Sequence, residues 1–381
     1  MLEIKNEKIA FNCWLLRNRQ LDGIGNFTVQ VLQNMIQNHP EQQFDLLVDK
    51  KFVNEYFDYP NVKLHRIFPA LRHPLLYVFF LEIRLPLYLK KIKPALVVSM
   101  DGFLSLSTRI KQLPVIYDLN FEHYPENLPW RNRVYYKYFF PKFVRIAKHI
   151  ITISEYSKAD IVKTYNVPAN KIDNVYCGIS SYFFPCTETE KNQTKEKYAN
   201  GNEYFFFAGT MHPRKNIIRL INAFIEYKKN TNNNFKLLLA GHIMWDDNSI
   251  KKIIEDATVK NNIILVGRVS NEELRLLLGS AWSLVFVPVF EGFGLPVVEA
   301  WQCGTAVVCS NVTSLPEVAG DAAIVVDPFN IAEIAAAMQK ITDPHIREHY
   351  INAGQKRKDL FSWHTTASLF WDSLQQTIKS K

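Results

Sequence analysis

A chain of 381 residues is long enough for two domains, and its 48% hydrophobic and 22% charged residues are ordinary for a protein with large buried cores. The formal net charge of +8 is uneven, because residues 51–150 carry 16 basic and 7 acidic side chains, a net +9, and the rest nets about zero. A basic part of this kind favours anionic partners: phosphorylated substrates, phospholipids or nucleic acid.

The same totals argue against several other classes. Five cysteines without a Cys-x-x-Cys pair favour reduced thiols in a cytosolic compartment and argue against a zinc site. The first eight residues include acids and no long apolar run, so they are not expected to be a signal peptide. The longest apolar candidate, residues 75–89, is interrupted by Glu82, Arg84 and Pro86, so no membrane-spanning helix is expected.

The first part of the chain alternates between strand and helix patterns. Lys8 to Leu15 is predicted to be a strand, and Asp22-Gly23-Ile24-Gly25-Asn26 precedes an amphipathic helix over 27–37. Gly23 and Gly25 would let a phosphate approach the backbone, although a plain tight turn is the simpler explanation. Further strands are predicted at 44–48, 62–67, 95–99 and 114–118, with a helix over 75–92.

The segment 129–149 is the most basic one and contains no acid, while seven aromatic residues are interleaved with its cations. Aromatic residues at helical spacing usually belong to a core. Basic and aromatic residues together are also the composition of a helix that lies on an anionic membrane surface. Both explanations stay open for this segment. Residues 150–161 are then predicted as a strand followed by a capped helix start.

Residues 186–202 are polar and nearly free of apolar side chains, which predicts an interdomain linker. We therefore expect one domain over 1–185, joined by a C-terminal helix over 363–381, and a second domain over 200–362. In the second domain, strands are predicted at 204–208, 235–240, 262–266, 282–289, 305–309 and 323–326. Helices are predicted at 217–229, 271–278, 297–303, 331–341 and 345–360. Strands that alternate with helices in both halves indicate two Rossmann-like parallel-sheet domains.

Two strand-to-helix loops of the second domain contain the residues that could bind a ligand or take part in catalysis. The first contains Gly209, Thr210, Arg214 and Lys215, and its two cations lie beside a helix start, where they could stabilise the growing charge of a departing diphosphate. A solvated basic pair is the simpler explanation for an isolated Arg-Lys.

The second loop contains Glu291, Gly292 and Gly294, and Glu299 follows Glu291 after seven intervening residues. Its glycines and the helix start favour an anion, while ionised carboxylates accept hydrogen bonds from sugar or ribose hydroxyls. Together these features indicate a nucleotide-sugar site, although glycines in such a loop are often only turn residues.

The chain resembles the family-4 retaining glycosyltransferases, which have the GT-B fold. The similarity rests on Glu291-Gly-Phe-Gly-Leu-Pro with Glu299, on Ser-Leu-Pro-Glu-Val-Ala-Gly-Asp-Ala from Ser314, and on Gly209-Thr210 followed by Pro-Arg-Lys-Asn. Further matches extend over nearly the whole chain. The resemblance implies two Rossmann-like domains that face each other across a cleft, the first binding the acceptor and the second the nucleotide sugar.

The resemblance also assigns roles to individual residues. It implies that Arg214 and Lys215 hold the diphosphate, that Glu291 and the backbone of Gly292, Phe293, Gly294 and Leu295 hold the sugar, and that Glu299 binds the ribose. Gly23 and Gly25 would approach the diphosphate from the other domain. The family usually has His-Asp where this chain has Tyr117 and Asp118. A phenol can donate a hydrogen bond but cannot accept a proton near neutral pH, so Tyr117 either keeps a neutral contact or another residue takes over. His123 is a weak candidate for that, and a surface loop histidine is the simpler interpretation.

The implied reaction is retaining, metal-independent transfer of a hexose from a nucleotide-diphosphate sugar to a glycan or lipid-linked acceptor. We expect GDP-mannose as the first choice of donor and a UDP-sugar as the second, in cell-surface polysaccharide or lipopolysaccharide synthesis. No cofactor or metal and no nucleic-acid partner is expected. The protein would be cytoplasmic, with peripheral membrane contact through 129–149 at the inner face of the cell membrane. The alternatives are a nucleotide-sugar epimerase or phosphorylase with the same fold or, on the strength of the basic half alone, a nucleic-acid-binding protein.

Overall fold

The structure is a computed structural model, and it describes residues 7–14, 16, 21–49, 51–67, 74–242, 249–255 and 259–380. The chain divides into two compact units. The first unit comprises Met1–Gly178 and Ser362–Lys381, and the second comprises Ile179–Phe361. The predicted domain limits of 185 and 200 lie on either side of a helix that belongs to the second unit.

The first unit contains a parallel sheet of five strands in the order β3-β2-β1-β4-β5. The strands are β1 (Ile9–Asn12), β2 (Phe44–Val48), β3 (Val62–Arg66), β4 (Leu96–Ser99) and β5 (Lys111–Pro114). A parallel pair, β6 (Ile150–Thr152) and β7 (Ile172–Asn174), is linked to the sheet through a bridge between Val115 and Ile151. β1, β2 and β4 are buried at every position, as expected for parallel strands covered on both faces.

The helices of the first unit cover that sheet. They are α1 (Gly23–Asn38), α2 (Pro74–Phe79), α3 (Leu85–Ile92), α4 (Asn120–His123), α5 (Trp130–Ile146), α6 (Glu155–Tyr165) and the final helix (Trp363–Lys379). A π-helical turn, Phe80–Arg84, joins α2 to α3, so residues 74–92 run as one continuous helix. The final helix packs along α1, and Phe27 contacts the ring of Trp363 at 5.7 Å.

The second unit contains a parallel sheet of six strands in the order β10-β9-β8-β11-β12-β13. The strands are β8 (Tyr204–Ala208), β9 (Lys236–Ala240), β10 (Ile263–Gly267), β11 (Ser283–Phe286), β12 (Ala306–Ser310) and β13 (Ile324–Val326). The helices are α7 (Glu188–Ala199), α8 (Ile217–Lys229), α9 (Ser249–Glu255), α10 (Asn271–Ser280), α11 (Leu295–Gln302), α12 (Leu315–Ala319), α13 (Ile331–Lys340) and α14 (Pro344–Arg357).

Several sequence-based expectations need correction. The predicted linker over 186–202 is mostly α7, which Thr187 starts with a full capping box to Glu190, so its polarity marks an exposed helix. The strand expected at 114–118 ends at Pro114, and Tyr117 and Asp118 follow in irregular structure. The first strand ends at Asn12, and Leu15 lies outside the described residues. The predicted glycine turn at Gly23 is instead the first turn of α1.

Candidate active site

The first site loop lies at the carboxyl end of β8, at the centre of the second unit's sheet. Gly209 adopts a φ of +146°, and its N–H donates to the carbonyl of Ala240 at 3.0 Å. Gly241 crosses so close that a Cβ built on it would lie 1.9 Å from the carbonyl oxygen of Gly209. Only glycine fits at position 241, and this close approach fixes where the loop leaves the sheet.

A short 3₁₀ turn, Pro213–Lys215, follows in this loop and carries both cations, Arg214 and Lys215. Asn216 ends the turn with a φ of +63°, a conformation that asparagine tolerates better than most residues. Its side-chain amide donates to the carbonyls of Val287 at 3.0 Å and Pro328 at 2.7 Å. The Val289 N–H in turn donates to the carbonyl of Arg214 at 2.8 Å. These bonds tie the loop after β8 to the loop after β11.

The second site loop connects β11 to α11 and presents Glu291, which is 7% exposed. Its N–H donates to the hydroxyl of Thr313 at 3.1 Å, and its carbonyl accepts from the hydroxyl of Ser314 at 2.9 Å. Gly294 adopts a φ of +108°, and a Cβ there would lie 2.5 Å from Leu315. The loop is therefore held by its contacts with the segment before α12, which brings the Ser-Leu-Pro-Glu motif and the glycine loop together.

Arg214, Lys215 and Glu291 meet in one ion cluster. One guanidinium nitrogen of Arg214 lies 2.9 Å from Oε1 of Glu291, and the Lys215 ammonium contacts the same oxygen. Arg214 also donates to the carbonyl of Phe290 at 3.0 Å, and the Lys215 ammonium lies 4.8 Å from the ring centroid of Phe286. Burial raises the pKa of the Glu291 carboxyl, but Arg214 and Lys215 outweigh burial and hold it below its ordinary value.

Glu299 lies on α11 and has a different environment. Burial raises the pKa of its carboxyl to about 7, and Lys215 only partly opposes the rise. The two carboxylates of this site thus have pKa values shifted in opposite directions, Glu291 downward and Glu299 upward. Glu291 is ionised at neutral pH, whereas Glu299 exchanges a proton near pH 7.

His212 also belongs to this site, and no sequence motif predicts a role for it. Its Nδ1 accepts from the Arg214 N–H at 3.3 Å. Burial, followed by the charges of Arg214 and Lys215, lowers the pKa of its imidazole, so the ring is neutral at physiological pH. The signal was present in the sequence as a histidine two residues before the cation pair. No sequence motif predicts the roles of Asn216, Thr313 and Ser314, because each depends on a partner loop that is distant in sequence.

The remaining predicted site residues belong to the first unit. Gly23 and Gly25 form the first turn of α1, where the Gly25 N–H donates to the carboxylate of Asp22 at 2.8 Å. The Tyr117 hydroxyl donates to the carbonyl of Met100 at 2.9 Å, and burial raises the pKa of this phenol well above 10. Tyr117 is therefore a neutral group. The roles of these residues toward the donor remain predictions.

Asp118 and His123 follow in the same stretch of the first unit. Asp118 accepts from the Asn120 N–H at 2.9 Å, a local turn contact. Nε2 of His123 lies 2.8 Å from the carboxylate of Asp160 on α6, so this histidine is more than a surface loop residue. Its contact with Asp160 ties α4 to α6.

Within the part of the chain that the structure describes, no three or more His, Cys, Asp or Glu side chains are grouped so that they could hold a metal ion. No described helix is both long and apolar enough to cross a bilayer.

Two Rossmann-like parallel-sheet units, with this loop cluster at the carboxyl edge of the second, define the GT-B class. A model described as "Glycosyltransferase Family 4" matches residues 23–181, and one described as "Glycosyl transferases group 1" matches residues 188–357. Each of the two units thus matches a glycosyltransferase model, the first over residues 23–181 and the second over residues 188–357.

One curated relative and two solved structures illustrate the match. O-antigen chain mannosyltransferase B of Escherichia coli is 37% identical over 219 residues, which are 57% of this chain and 58% of that protein, so the match spans less than two thirds of the relative. Anabaena HepE in complex with UDP and glucose superposes with a TM-score of 0.77 at 15% identity, covering 97% of this chain and 100% of that one. WaaG, a glycosyltransferase involved in lipopolysaccharide biosynthesis, gives 0.74 at 14% identity, covering 96% and 98%. At these identities the two structures bear on the fold alone.

Proposed function

We propose that this protein transfers a hexose from a nucleotide-diphosphate sugar to a hydroxyl of a glycan or lipid-linked acceptor. The observation that carries the proposal is the cluster in which Arg214 and Lys215 share one oxygen of Glu291 beside Glu299. Two cations fixed on rigid loops suit a diphosphate, whose negative charge increases as the glycosidic bond breaks. Glu291, the buried carboxylate next to them, can accept hydrogen bonds from the hydroxyls of the sugar.

The cluster also explains how the site stays ordered before the donor arrives. Two cations side by side repel each other, and the single negative charge of Glu291 offsets that repulsion while Thr313 and Ser314 hold the backbone of Glu291. When the donor binds, its diphosphate replaces Glu291 as the partner of Arg214 and Lys215. That exchange releases oxygen Oε1 of Glu291 toward the sugar hydroxyls, while Glu299 accepts from the ribose.

GDP-mannose is our first choice of donor and a UDP-sugar the second. The Escherichia coli relative is an O-antigen chain mannosyltransferase, which supports mannose as the transferred sugar. We place the reaction in the synthesis of cell-surface polysaccharide or lipopolysaccharide. The acceptor would then be a growing glycan or its lipid-linked precursor at the inner face of the cell membrane, reached by peripheral contact through 129–149.

A thermal-shift panel of nucleotide sugars tests the donor. We expect GDP-mannose to raise the melting temperature and the corresponding sugar phosphate, which lacks the nucleotide, to leave it unchanged. A protein that no nucleotide sugar stabilises would contradict the proposal. Incubation of the stabilising donor without acceptor separates transfer from epimerisation, because an epimerase would change the sugar under those conditions and a transferase would not.

We propose further that the transfer retains the anomeric configuration and needs no metal. Arg214 and Lys215 can neutralise the leaving diphosphate as a divalent cation would. The expected outcome is that activity survives EDTA. Loss of activity that only Mg²⁺ or Mn²⁺ restores would exclude metal independence. Nuclear magnetic resonance of the product's anomeric proton decides between retention and inversion.

A further inference from the structure

His212 has a defined place in the loop that carries the two cations. It lies at the start of the 3₁₀ turn Pro213–Lys215, where its Nδ1 accepts from the Arg214 N–H at 3.3 Å and its carbonyl accepts from the Lys215 N–H at 2.8 Å. A side chain that accepts in this way caps the turn, a role that serine, aspartate or asparagine usually fills. The half-buried imidazole therefore holds the backbone that carries Arg214 and Lys215.

This hydrogen bond fixes the protonation state of the ring. A nitrogen that accepts has a lone pair, so the proton of the neutral imidazole is on Nε2. Burial and the charges of Arg214 and Lys215 lower the pKa of the imidazole, and Glu291, on the loop after β11, opposes them only in part. The loop after β9 contributes a backbone group, the carbonyl of His242, which accepts from the Met211 N–H at 2.8 Å.

A bound donor reverses the charge around this ring. The two cations and one carboxylate of Arg214, Lys215 and Glu291 leave a net charge of +1 before the donor binds. The diphosphate of a nucleotide sugar brings about two negative charges, and the nucleoside diphosphate product has about one more, because its terminal phosphate is then a monoester. Negative charge close to an imidazole favours its protonated form.

We propose that His212 takes up a proton when a nucleotide-diphosphate sugar binds, and that the imidazolium is the third cation on the diphosphate, beside Arg214 and Lys215. The proton comes from solvent and binds to the Nδ1 lone pair. Both ring nitrogens then donate, so the Arg214 N–H exchanges its ring acceptor for a phosphate oxygen. This third cation also stabilises the charge that grows on the departing diphosphate. The inference deepens the proposed function and rests on it, because it requires a diphosphate donor at this cluster.

Calorimetric titration of GDP-mannose into the full chain, repeated at about pH 7 in buffers of different ionisation enthalpy, counts the protons exchanged on binding. UDP-glucose takes the place of GDP-mannose if the latter does not bind. His212→Asn is the decisive variant, because asparagine also caps a turn but does not titrate. We expect the wild type to take up at least about half a proton more per donor bound than this variant.

Two comparisons isolate the contribution of His212. The difference between the wild type and His212→Asn excludes the proton that Glu299 exchanges, because both proteins retain that carboxyl. His345→Asn changes an exposed histidine of α14, so it is the matched control and should take up as many protons as the wild type.

The pH dependence of donor affinity gives a second readout. A group that binds its proton more tightly in the complex contributes affinity that is complete below its pKa in the free protein. This contribution is lost as the pH rises through the pKa in the complex. Between about pH 6.5 and about pH 8, the affinity of the wild type should therefore fall about five-fold more than that of His212→Asn.

Equal proton uptake by the wild type and His212→Asn would overturn the inference and leave the proposed function intact. Failure of GDP-mannose and of every UDP-sugar to bind would remove both. If His212→Asn does not fold, the ¹⁵N chemical shifts of the histidine rings in the wild type decide. One ring should change from imidazole to imidazolium at about pH 7 when the donor is added, and no change in any ring would overturn the inference.

Discussion

Lys215 is the residue on which the proposed chemistry depends most. Its ammonium contacts Glu291 and is almost completely buried, so it keeps one orientation on a loop that Asn216 fixes. A cation held in this way stabilises the charge that develops on a departing diphosphate without reorganising during the reaction.

The Lys215→Ala variant should have a lower kcat, because loss of the charge contact removes about 2–4 kcal/mol of transition-state stabilisation. Arg214 still pairs with Glu291 in the variant, so folding should be retained and is checked by circular dichroism. Lys340→Ala, an exposed lysine of α13, is the control and should leave the rate unchanged. A rate near wild type for Lys215→Ala would remove the lysine from the mechanism.

Glu299 gives the donor-free protein a specific pH dependence. Its pKa is about 7 in the folded protein and 4.5 ordinarily, so the folded state binds the proton more tightly. The stabilising contribution of the protonated carboxyl is complete below pH 4.5 and is lost as the pH rises through 7.

Glu299→Gln removes this titration, so the variant should lose less free energy of unfolding than the wild type between about pH 5 and about pH 8. Urea unfolding at the two pH values measures the difference. An identical pH dependence in both proteins would show that the carboxyl of Glu299 does not titrate near neutrality.

At the scale of secondary-structure elements, the crossing of Gly241 and Gly209 positions the loop after β8. A Cβ at 241 would lie 1.9 Å from a backbone oxygen, which cannot move without displacing the strand end. Gly241→Ala should therefore cost more than about 3 kcal/mol of unfolding free energy. Gly267→Ala is the matched control: its φ is +79° but no atom lies within 4 Å of the added Cβ, so it should cost only about 1 kcal/mol. Equal losses of unfolding free energy for Gly241→Ala and Gly267→Ala, measured by urea unfolding, would show that the close approach of Gly241 to Gly209 does not matter for stability.

The strands and helices were largely predictable, because buried parallel strands such as Tyr204–Ala208 are continuous apolar runs and the helices between them repeat every three to four residues. The sequence does not predict the helix Glu188–Ala199, because this helix has almost no apolar face. Its capping box at Thr187 lies in a polar segment that has the composition of a linker.

The sequence is sufficient to identify Arg214, Lys215 and Glu291 as candidate site residues. It does not predict that both cations contact the same carboxylate oxygen of Glu291. That contact depends on the tertiary arrangement of two loops about 75 residues apart. The neutral state of His212 and the raised pKa of Glu299 depend on burial and neighbouring charge, which single-sequence patterns do not report.

At the scale of the whole molecule, the two family matches divide the chain at nearly the same place as its two compact units. The proposed roles divide in the same way. The cluster of Arg214, Lys215 and Glu291 lies in the second unit, and the basic segment 129–149 lies in the first. Binding of the donor and contact with a membrane can therefore be measured, and disrupted, separately.

Calorimetric titration of GDP-mannose into the wild type and Lys215→Ala tests the central claim most directly. We expect saturable binding of one donor per chain to the wild type and clearly weaker binding to the variant, with Lys340→Ala binding like the wild type. Absence of binding by GDP-mannose and by every UDP-sugar, or unchanged affinity in Lys215→Ala, would contradict the claim that this cation cluster holds a nucleotide-diphosphate sugar.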